Sequence, residues 1–257
     1  SRIVNVVDTA PPAITLLGLP VETAECGSAY LDAGATALDI CDGDISASLV
    51  VDNQVNTAIP GVYVASFDIT DSLGNPAATV TRTVTVVDTT PPVITVLGTT
   101  PLTIECGGGY TDAGATALDA CDGDLTGLIA VVNPVNAAVP GVYTVTYDVS
   151  DAAANAAAQV TRTVTVQDTT LPVITLNGNA TETIECGDIY TDAGAAATDV
   201  CDGDLTASIT TVNAVNTAAV GSYTVTYDVS DASGNAAAQG VRTVNVVDTA
   251  APVITLV

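Results

Sequence analysis

The chain of 257 residues has no lysine, histidine, methionine or tryptophan, and Phe67 is its single phenylalanine. Four arginines face 29 acidic residues, so the formal net charge is −25. Nucleic acids and anionic membranes are bound through Lys and Arg, and we therefore expect no nucleic acid as a partner. Without histidine, the chain lacks the commonest general base and a usual zinc ligand. The charge instead favours cations.

Long hydrophobic runs are also absent. None approaches the roughly 20 residues of a membrane-spanning helix, so we expect no membrane insertion in this segment. The abundant Val and Thr favour strands, while Gly, Asn, Asp and Pro mark turns. The cysteines occur in pairs at regularly repeated positions, which suits an oxidising compartment. The composition thus predicts an extracellular or cell-surface protein.

An internal repeat runs through the whole sequence, and the arginines and cysteines recur at its constant interval. We predict repeats at 8–87, 88–167 and 168–247. Residues 1–7 match the end of a repeat and are predicted to be the last strand of a preceding one. Residues 248–257 match the start of a repeat and are predicted to be the first strand of a following one.

Within a repeat, apolar residues alternate with polar ones, as in GVYTVTYDVSD at 141–151. This alternation predicts half-buried antiparallel strands. In the second repeat the predicted strands are 92–97, 102–105, 113–118, 125–132, 142–149 and 157–166. So many short strands in each repeat predict an all-β fold of tandem β-sandwich domains. The Pro-Pro pair between repeats makes a stiff joint, which favours a linear rod.

Several motifs resemble bacterial immunoglobulin-like (Ig-like) repeats, which are related to hyalin repeats and to the Ig-like module of some pesticidal crystal proteins. They are VVDTTPPVITV at 86–96, the ECG and CDGD stretches, PGVYTVTYDVSDA and TRTVTV, and they recur in all three repeats. The resemblance implies Ig-like β-sandwiches that serve as stalk, spacer or adhesive parts of surface proteins. Tyr143 fits the tyrosine corner of this fold, and in the third repeat Val220 replaces the proline of that motif.

In Ig-like topology the CDGD loop, the loop between the last two strands and the linker meet at the end where the chain enters the domain. Seven oxygen-bearing side chains of each repeat should therefore converge at one junction, with Arg162 and its equivalents as the available counter-charge. The candidate metal ligands are Asp8, Asp39, Asp42, Asp44, Asp68, Asp71, Asn75; Asp88, Asp119, Asp122, Asp124, Asp148, Asp151, Asn155; and Asp168, Asp199, Asp202, Asp204, Asp228, Asp231, Asn235.

Crowded carboxylates repel one another by several kcal/mol at about 4 Å and an effective dielectric near 20. A hard cation would relieve this repulsion, and Ca²⁺ takes six to eight oxygen ligands of this kind. Mg²⁺ prefers tighter sites with retained water. The spacing does not fit an EF-hand and resembles cadherin-style junctional sites instead. The alternative interpretation is that these residues only form turns and keep the surface soluble.

The six cysteines, two per repeat and fifteen residues apart, are predicted to form disulfides. The favoured pairing lies within each repeat and would contribute about 3 kcal/mol per 15-residue loop. It joins Cys26–Cys41, Cys106–Cys121 and Cys186–Cys201. The rival pairing joins Cys26–Cys121 and Cys106–Cys201 across the junctions, and it follows if an extended strand separates the two cysteines of a repeat. Free buried thiols are the third alternative.

Catalysis has little support, since no Ser or Cys nucleophile has a basic partner. Paired carboxylates can cut glycosidic bonds, but here the acids recur in every repeat without aromatic platforms. We predict an extracellular structural protein whose Ca²⁺-rigidified repeats form a fibre, a filament or a cell-surface stalk. Its partners would be calcium and neighbouring repeats or identical chains. The alternative is a spacer in a large adhesin or secreted enzyme whose functional module lies outside this segment.

Overall fold

A computed structural model describes residues 1–254 and confirms an all-β fold of tandem Ig-like sandwiches. Each repeat has seven strands and one 3-10 turn in the same order. Repeat 1 contains β1 (Ala13–Leu16), β2 (Val21–Glu25), β3 (Ala35–Asp39), β4 (Gly43–Asp44), the turn Ser46–Ser48, β5 (Val50–Asn53), β6 (Gly61–Asp68) and β7 (Val80–Val87).

The other two repeats follow the same plan. Repeat 2 contains β8 (Val93–Val96), β9 (Leu102–Glu105), β10 (Ala115–Asp119), β11 (Gly123–Asp124), the turn Thr126–Leu128, β12 (Ala130–Val132), β13 (Gly141–Asp148) and β14 (Val160–Gln167). Repeat 3 contains β15 (Val173–Leu176), β16 (Thr181–Glu185), β17 (Ala195–Asp199), β18 (Gly203–Asp204), the turn Thr206–Ser208, β19 (Thr210–Asn213), β20 (Gly221–Asp228) and β21 (Gly240–Val247). Within residues 1–254, no helix has the length and apolar character needed to cross a membrane.

The chain forms two compact units, and each includes part of repeat 2. The first unit comprises residues 1–98, 113–132 and 146–161, so it holds the sandwich of repeat 1 with the linker and CDGD loop of repeat 2. The second unit comprises 99–112, 133–145 and the chain from Arg162 onward, so it holds β9 with the sandwich of repeat 3. Each junction considered below lies inside one unit.

The topology of repeat 1 decides which residues reach which end of the sandwich. One sheet has the order β1-β3-β4 and the other β2-β7-β6-β5, and repeat 3 has the same two sheets. Antiparallel pairing sets Leu38 opposite Ala13, so the end of β3 lies where the chain enters the repeat. Parallel pairing sets Glu25 beside Val87, so the end of β2 lies where the chain leaves it. The two ends are called here the N-terminal and C-terminal ends of a repeat.

The predicted strands of repeat 2 are largely confirmed, with one difference. The predicted strand 125–132 begins as a 3-10 turn and is extended only over Ala130–Val132. The reason is local, because a carboxylate oxygen of Asp124 accepts the backbone N–H of Thr126 at 2.9 Å and favours a turn.

Neither of the two predicted flanking segments, 1–7 and 248–257, forms a strand within the described residues. Residues 1–7 are coil. Their counterpart β7 is held by pairing with β2 and β6, and residues 1–7 have no such pairing within the described residues. In 248–257, residues 248–254 are also coil, and 255–257 lie outside the described residues.

A buried arginine occupies the centre of each sandwich. Arg82 is fully buried, donates from Nε to the carbonyl of Leu19 at 2.9 Å and pairs with Asp32. In repeat 2, Arg162 lies 3.0 Å from Asp112. A buried charge is tolerated when it is paired and hydrogen-bonded. The expectation that Arg162 neutralises the junction acids is therefore wrong, since its charge is used in the core.

The tyrosine corner is confirmed in every repeat. The hydroxyls of Tyr63, Tyr143 and Tyr223 donate to carbonyl oxygens four residues upstream at 2.8, 2.9 and 3.0 Å. The third repeat forms this corner although Val220 stands in place of proline. The hydrogen bond, rather than the proline ring, therefore holds the bend before the long strand.

Candidate metal centre at the repeat junctions

The junction between repeats 2 and 3 brings together four acidic side chains. Asp168, Asp199, Asp202 and Asp231 each offer one carboxylate oxygen, and these oxygens all lie within 4.8 Å of one another. Asp168 belongs to the linker, Asp199 ends β17, Asp202 follows in the turn to β18, and Asp231 lies between β20 and β21. Three of the four side chains are buried, with Asp202 the exception. Three separate segments therefore converge, as the sequence predicts.

Backbone hydrogen bonds fix the orientation of these carboxylates. Asp199 accepts from the backbone N–H groups of Cys201 at 2.7 Å and Asp202 at 3.1 Å, both on Oδ1. Asp202 accepts the N–H of Ala232 at 2.8 Å, which ties the CDGD loop to the loop before β21. The other oxygen of Asp199, Oδ2, accepts a longer hydrogen bond from the hydroxyl of Thr170 at 3.4 Å.

An asparagine ties each loop to the linker. Asn235 donates from Nδ2 to Asp231 at 2.8 Å and to the backbone carbonyl of Asp168 at 3.1 Å. Asn75 and Asn155 make the same pair of contacts in repeats 1 and 2. The predicted asparagines thus lie at the junctions, where their amide nitrogens hold the acidic residues in place.

Some carboxylate oxygens at the junctions are buried without a donor. Among the described residues, the buried side-chain oxygens that lack a hydrogen-bond partner are Oδ2 of Asp39, Asp119 and Asp168. Leaving a buried acceptor unsatisfied costs about 1–3 kcal/mol, and more for a charged group. Asp39 and Asp119 hold equivalent positions in repeats 1 and 2, whereas Asp168 is the linker acid of repeat 3. Each orphaned oxygen marks a place where a positive charge would be strongly stabilised.

The junction before repeat 2 has the same design. Asp88, Asp119 and Asp151 offer oxygens within 4.8 Å of one another, and Asp122 lies near Asp88. Burial raises the pKa of Asp88, and the neighbouring negative charges of Asp119, Asp151 and Asp122 raise it further. Repulsion between the carboxylates is thus the second cause, after burial, that raises this pKa. Cys121 lies close to Asp88 and Asp122, but its sulfur is bonded in a disulfide.

Before repeat 1, the group consists of Asp8, Asp39 and the thiol of Cys41. Asp42 accepts two hydrogen bonds from Ser72, at 2.8 Å from the backbone and 2.9 Å from the hydroxyl. Asp71 accepts from Asn75, so the loop is arranged as in the other repeats. The linker acid and the acid that ends the third strand of the repeat therefore meet at all three junctions, and the group is largest before repeat 3.

Two predicted ligand positions of each repeat lie outside these clusters. The acid at the first position accepts the N–H of the residue that begins the 3-10 turn. The acid at the second position accepts from the side chain of the residue just before the neighbouring strand. They are Asp44, Asp124 and Asp204, bonded to Ser46, Thr126 and Thr206, and Asp68, Asp148 and Asp228, bonded to Thr79, Gln159 and Gln239. These six carboxylates serve a turn or a strand pair.

The disulfides connect neighbouring repeats, and the favoured pairing within a repeat is wrong. Cys26 is bonded to Cys121 and Cys106 to Cys201, with Cα atoms 5.3 and 5.5 Å apart. The reason is topological. Cys26 follows β2 at the C-terminal end of its repeat, where its N–H donates to Val87 at 2.7 Å, whereas the other cysteine of a repeat follows β3 at the N-terminal end. Cys41 and Cys186 are free thiols, although the favoured pairing joins them to Cys26 and Cys201.

A glutamate next to each first cysteine binds the following linker, which sequence reasoning missed. Glu25 accepts the N–H of Thr89 at 2.7 Å and the hydroxyl of Thr90 at 2.6 Å. Glu105 and Glu185 make the equivalent bonds to Thr169 and Thr249. The recurrence of Glu before Cys-Gly in every repeat was the available signal.

The loop of repeat 2 keeps the conformation of its neighbours although Ala154 stands where repeats 1 and 3 have glycine. Ala154 has φ = 69°, against 93° and 92° for Gly74 and Gly234. Its N–H donates to the carbonyl of Asp151 at 3.2 Å, as the glycines do at 3.3 Å. The loop is therefore preserved at the expense of local backbone strain.

These features define a set of tandem Ig-like repeats of the surface-protein kind, joined by disulfides and by clustered acids. The sequence matches the family described as "Bacterial surface protein, Ig-like domain" over residues 14–86, 94–166 and 174–246. The chain belongs to this family, as the resemblance of its motifs predicts. Domains of this kind are generally not catalytic.

The chain is also similar to hyalin. It is 32% identical to hyalin from Strongylocentrotus purpuratus and 33% identical to hyalin from Lytechinus variegatus, over 97% and 98% of its own length. It spans 22% and 50% of those two proteins. An uncharacterized 81.3 kDa protein of Acholeplasma phage L2 is 33% identical over 84% of the chain, which covers 30% of that protein.

Proposed function

We propose that this chain is an extracellular structural protein whose Ig-like repeats are stiffened at each junction by bound Ca²⁺ and serve as a fibre or surface stalk. The observation that carries the proposal is the cluster of Asp168, Asp199, Asp202 and Asp231, with its orphaned Oδ2 on Asp168. Four negative charges held together by backbone hydrogen bonds need a compensating charge. The arginine of that repeat, Arg242, is paired with Asp192 in the core.

The spacing of the oxygens suits calcium. Ca²⁺ holds oxygen ligands at about 2.3–2.6 Å, so two ligands on opposite sides of one ion lie about 4.6–5.2 Å apart. The oxygens of the cluster all lie within 4.8 Å of one another. Backbone carbonyls and water complete calcium's six to eight ligands in proteins. At the junction before repeat 2, the proposed ligands are Asp88, Asp119 and Asp151. At the junction before repeat 1, they are the equivalent residues of that repeat.

A structural role fits the repetition of the site. The same acids recur at each junction and connect the linker to the two loops of the sandwich that it enters, which is what a stiffening ion requires and what a single substrate site does not. The disulfides lie at the same junctions, and disulfides persist mainly in extracellular compartments. We therefore assign the chain a non-catalytic role outside the cell.

The second candidate is a spacer in a longer adhesin or secreted enzyme. The chain spans only 22% of one hyalin. This favours the spacer as a second candidate, because relatives of this kind include much longer proteins. Both candidates use the same calcium-bound junctions. The neighbouring sequence distinguishes them, since a non-repetitive binding or catalytic domain supports the spacer.

The test is a calcium titration by calorimetry on the dialysed chain, with magnesium as the comparison and a metal count on the same sample. We expect bound calcium at the junctions and a higher melting temperature in calcium than in chelator. At calcium 100-fold above its Kd, the stabilisation is about 2.7 kcal/mol. A protein that takes up no calcium and melts identically in both buffers would refute the proposal.

A further inference from the structure

The clustered acids of a junction belong to the linker and to the sandwich that the linker enters. Before repeat 3, Asp168 lies in the linker, whereas the other three acids lie in the sandwich of repeat 3. None of the four comes from the sandwich of repeat 2. An ion held by this cluster therefore stiffens the junction only if the preceding repeat holds the same acids by other contacts.

Glu105 and Cys106, where β9 ends in repeat 2, hold the linker half of the cluster. The N–H of Cys106 donates to the carbonyl oxygen of Gln167 at 2.7 Å. Glu105 accepts the N–H of Thr169 at 2.5 Å and its hydroxyl at 3.1 Å. Gln167 and Thr169 are the two neighbours of Asp168 in the sequence. One dipeptide of the preceding repeat thus fixes the backbone on both sides of the linker acid.

The same dipeptide holds the turn that carries the other half of the cluster. Cys106 is bonded to Cys201, which comes two residues after Asp199 and donates its N–H to that acid at 2.7 Å. A Cβ on Gly107 would lie 2.6 Å from a methyl carbon of Val200, so the two segments pack too closely for a side chain there. Both halves of the cluster are therefore tied to residues 105–106.

The junction before repeat 2 has the same arrangement. Glu25 and Cys26 bond to the residues on both sides of Asp88, through the same pairs of groups. Cys26 is also joined to Cys121, which comes two residues after Asp119. The double attachment is thus a property of the junction and not of one loop.

We propose that this Glu-Cys dipeptide, residues 105–106 and 25–26, positions the calcium ligands of the following junction and thereby sets its affinity for the ion. Neither residue belongs to the acidic cluster, so both act through the acids that they hold. Without the dipeptide, linker and turn separate more often, and the apparent Kd rises as the competent fraction falls. Loss of such outer partners typically weakens metal binding about 10–100-fold. This role rests on the proposed calcium sites.

The experiment uses the full-length chain with one disulfide removed at a time. Cys106→Ser with Cys201→Ser removes the bond before repeat 3 without changing the charge. Cys26→Ser with Cys121→Ser is the matched control, because it removes the bond before repeat 2. In every sample the two free cysteines are also replaced by serine, so that no thiol exchanges with a disulfide.

Calcium titration is followed by NMR at the amides of Gly203 and Gly123, which lie in the two turns and report on them separately. The first double variant should weaken binding at Gly203 by about 10–100-fold and leave Gly123 unchanged, and the control should do the reverse. Glu105→Ala should also weaken binding at Gly203. Glu105→Gln loses the same charge but keeps an acceptor for Thr169, so it should recover part of the affinity.

A second measurement does not depend on how the serine variants fold. The chain with both disulfides is equilibrated with reduced and oxidised glutathione. Two glutathione molecules reduce the Cys106–Cys201 bond to two thiols and become one molecule of glutathione disulfide. Since coupling between two equilibria is reciprocal, saturating calcium should shift this reaction toward the protein disulfide by the same factor as the change in Kd. Trapping of thiols and mass spectrometry measure the shift.

The outcomes separate this role from the calcium sites themselves. If the oxidised chain binds calcium, but loss of a disulfide leaves the Kd within twofold and calcium leaves the glutathione equilibrium unchanged, the positioning role is overturned and the calcium sites stand. Weakening of both turns by one double variant also overturns it, because the effect is then not local. A chain that binds no calcium in any form overturns both. Amide exchange of β20 in saturating calcium confirms that repeat 3 is folded in each variant.

Discussion

The substitution Asp199→Asn tests the metal centre because its effect on the stability of repeat 3 should have opposite signs without and with calcium. Asparagine keeps the Oδ1 acceptor for the N–H groups of Cys201 and Asp202, so the turn is retained. The substitution removes one negative charge from the group of four. Without calcium it should therefore stabilise repeat 3, and with calcium it should destabilise the repeat because it removes a ligand.

The magnitude follows from the distances. At 4.8 Å each pair of charges repels by about 0.9 kcal/mol at the dielectric of water and about 3.5 kcal/mol at an effective dielectric of 20. We expect Asp199→Asn to raise the unfolding free energy in chelator by about 1–3 kcal/mol, since the cluster is partly open to water. In saturating calcium we expect a loss of up to about 2.7 kcal/mol, the linkage contribution at 100-fold excess over Kd.

Hydrogen–deuterium exchange measured by mass spectrometry is the suitable assay, because it reports opening free energies of β20 and β21 separately from the other repeats. Asp204→Asn is the matched control, since Asp204 lies outside the cluster and accepts only from Thr206. Its effect should be small and equal in both buffers. If the two variants behave alike in calcium and in chelator, the acids only form turns and keep the surface soluble, and the reasoning is refuted.

Three other perturbations address the fold and the linker. Ala154→Gly should stabilise repeat 2 by about 0.5–1 kcal/mol in thermal unfolding, because relief of the positive φ exceeds the entropy cost of glycine; a lower melting temperature would contradict this. Arg242→Met should destabilise repeat 3 by about 3–5 kcal/mol in urea, and adding Asp192→Asn should recover part of the loss; additive losses would count against the buried pair. Hydrogen bonds from the linker lower the pKa of Glu105, so its contribution is present above pH 4.5 and is lost as the pH falls through the lowered pKa. The protection of the linker amides against hydrogen exchange, relative to their intrinsic exchange rate, should show this pH dependence in the wild type. In Glu105→Gln the protection should lose it.

Most of the fold could be predicted from the sequence because strand periodicity is a local property. Alternation over 141–151 predicts β13 to within a residue, whereas Arg162, which was expected beside the junction acids, lies in the core. The partner of Arg162 could not be predicted in this way. Asp112 comes from a loop that is distant in the sequence, and its approach depends on how the two sheets pack.

The disulfide pairing could not be decided because a separation of fifteen residues is compatible with two geometries. The deciding fact is that β2 leaves the sheet of β1 and pairs in parallel with β7, which carries Cys26 to the C-terminal end. The acidic residues posed the same problem. Asp119 and Asp124 are the same residue type five positions apart, yet one points into the cluster and the other caps a turn.

The staggered disulfides have a mechanical consequence. Tension applied to the chain passes along the shortest covalent path, which crosses from Cys26 to Cys121, runs back to Cys106 and crosses again to Cys201. Only residues 106–121 of repeat 2 lie on that path, so its unfolding would lengthen the chain by no more than about 50 Å, at about 3.4 Å per residue. Without the two bonds the whole of the repeat would extend to about 270 Å at the same rise. Repeat 2 therefore lengthens little under load, even when its sandwich unfolds.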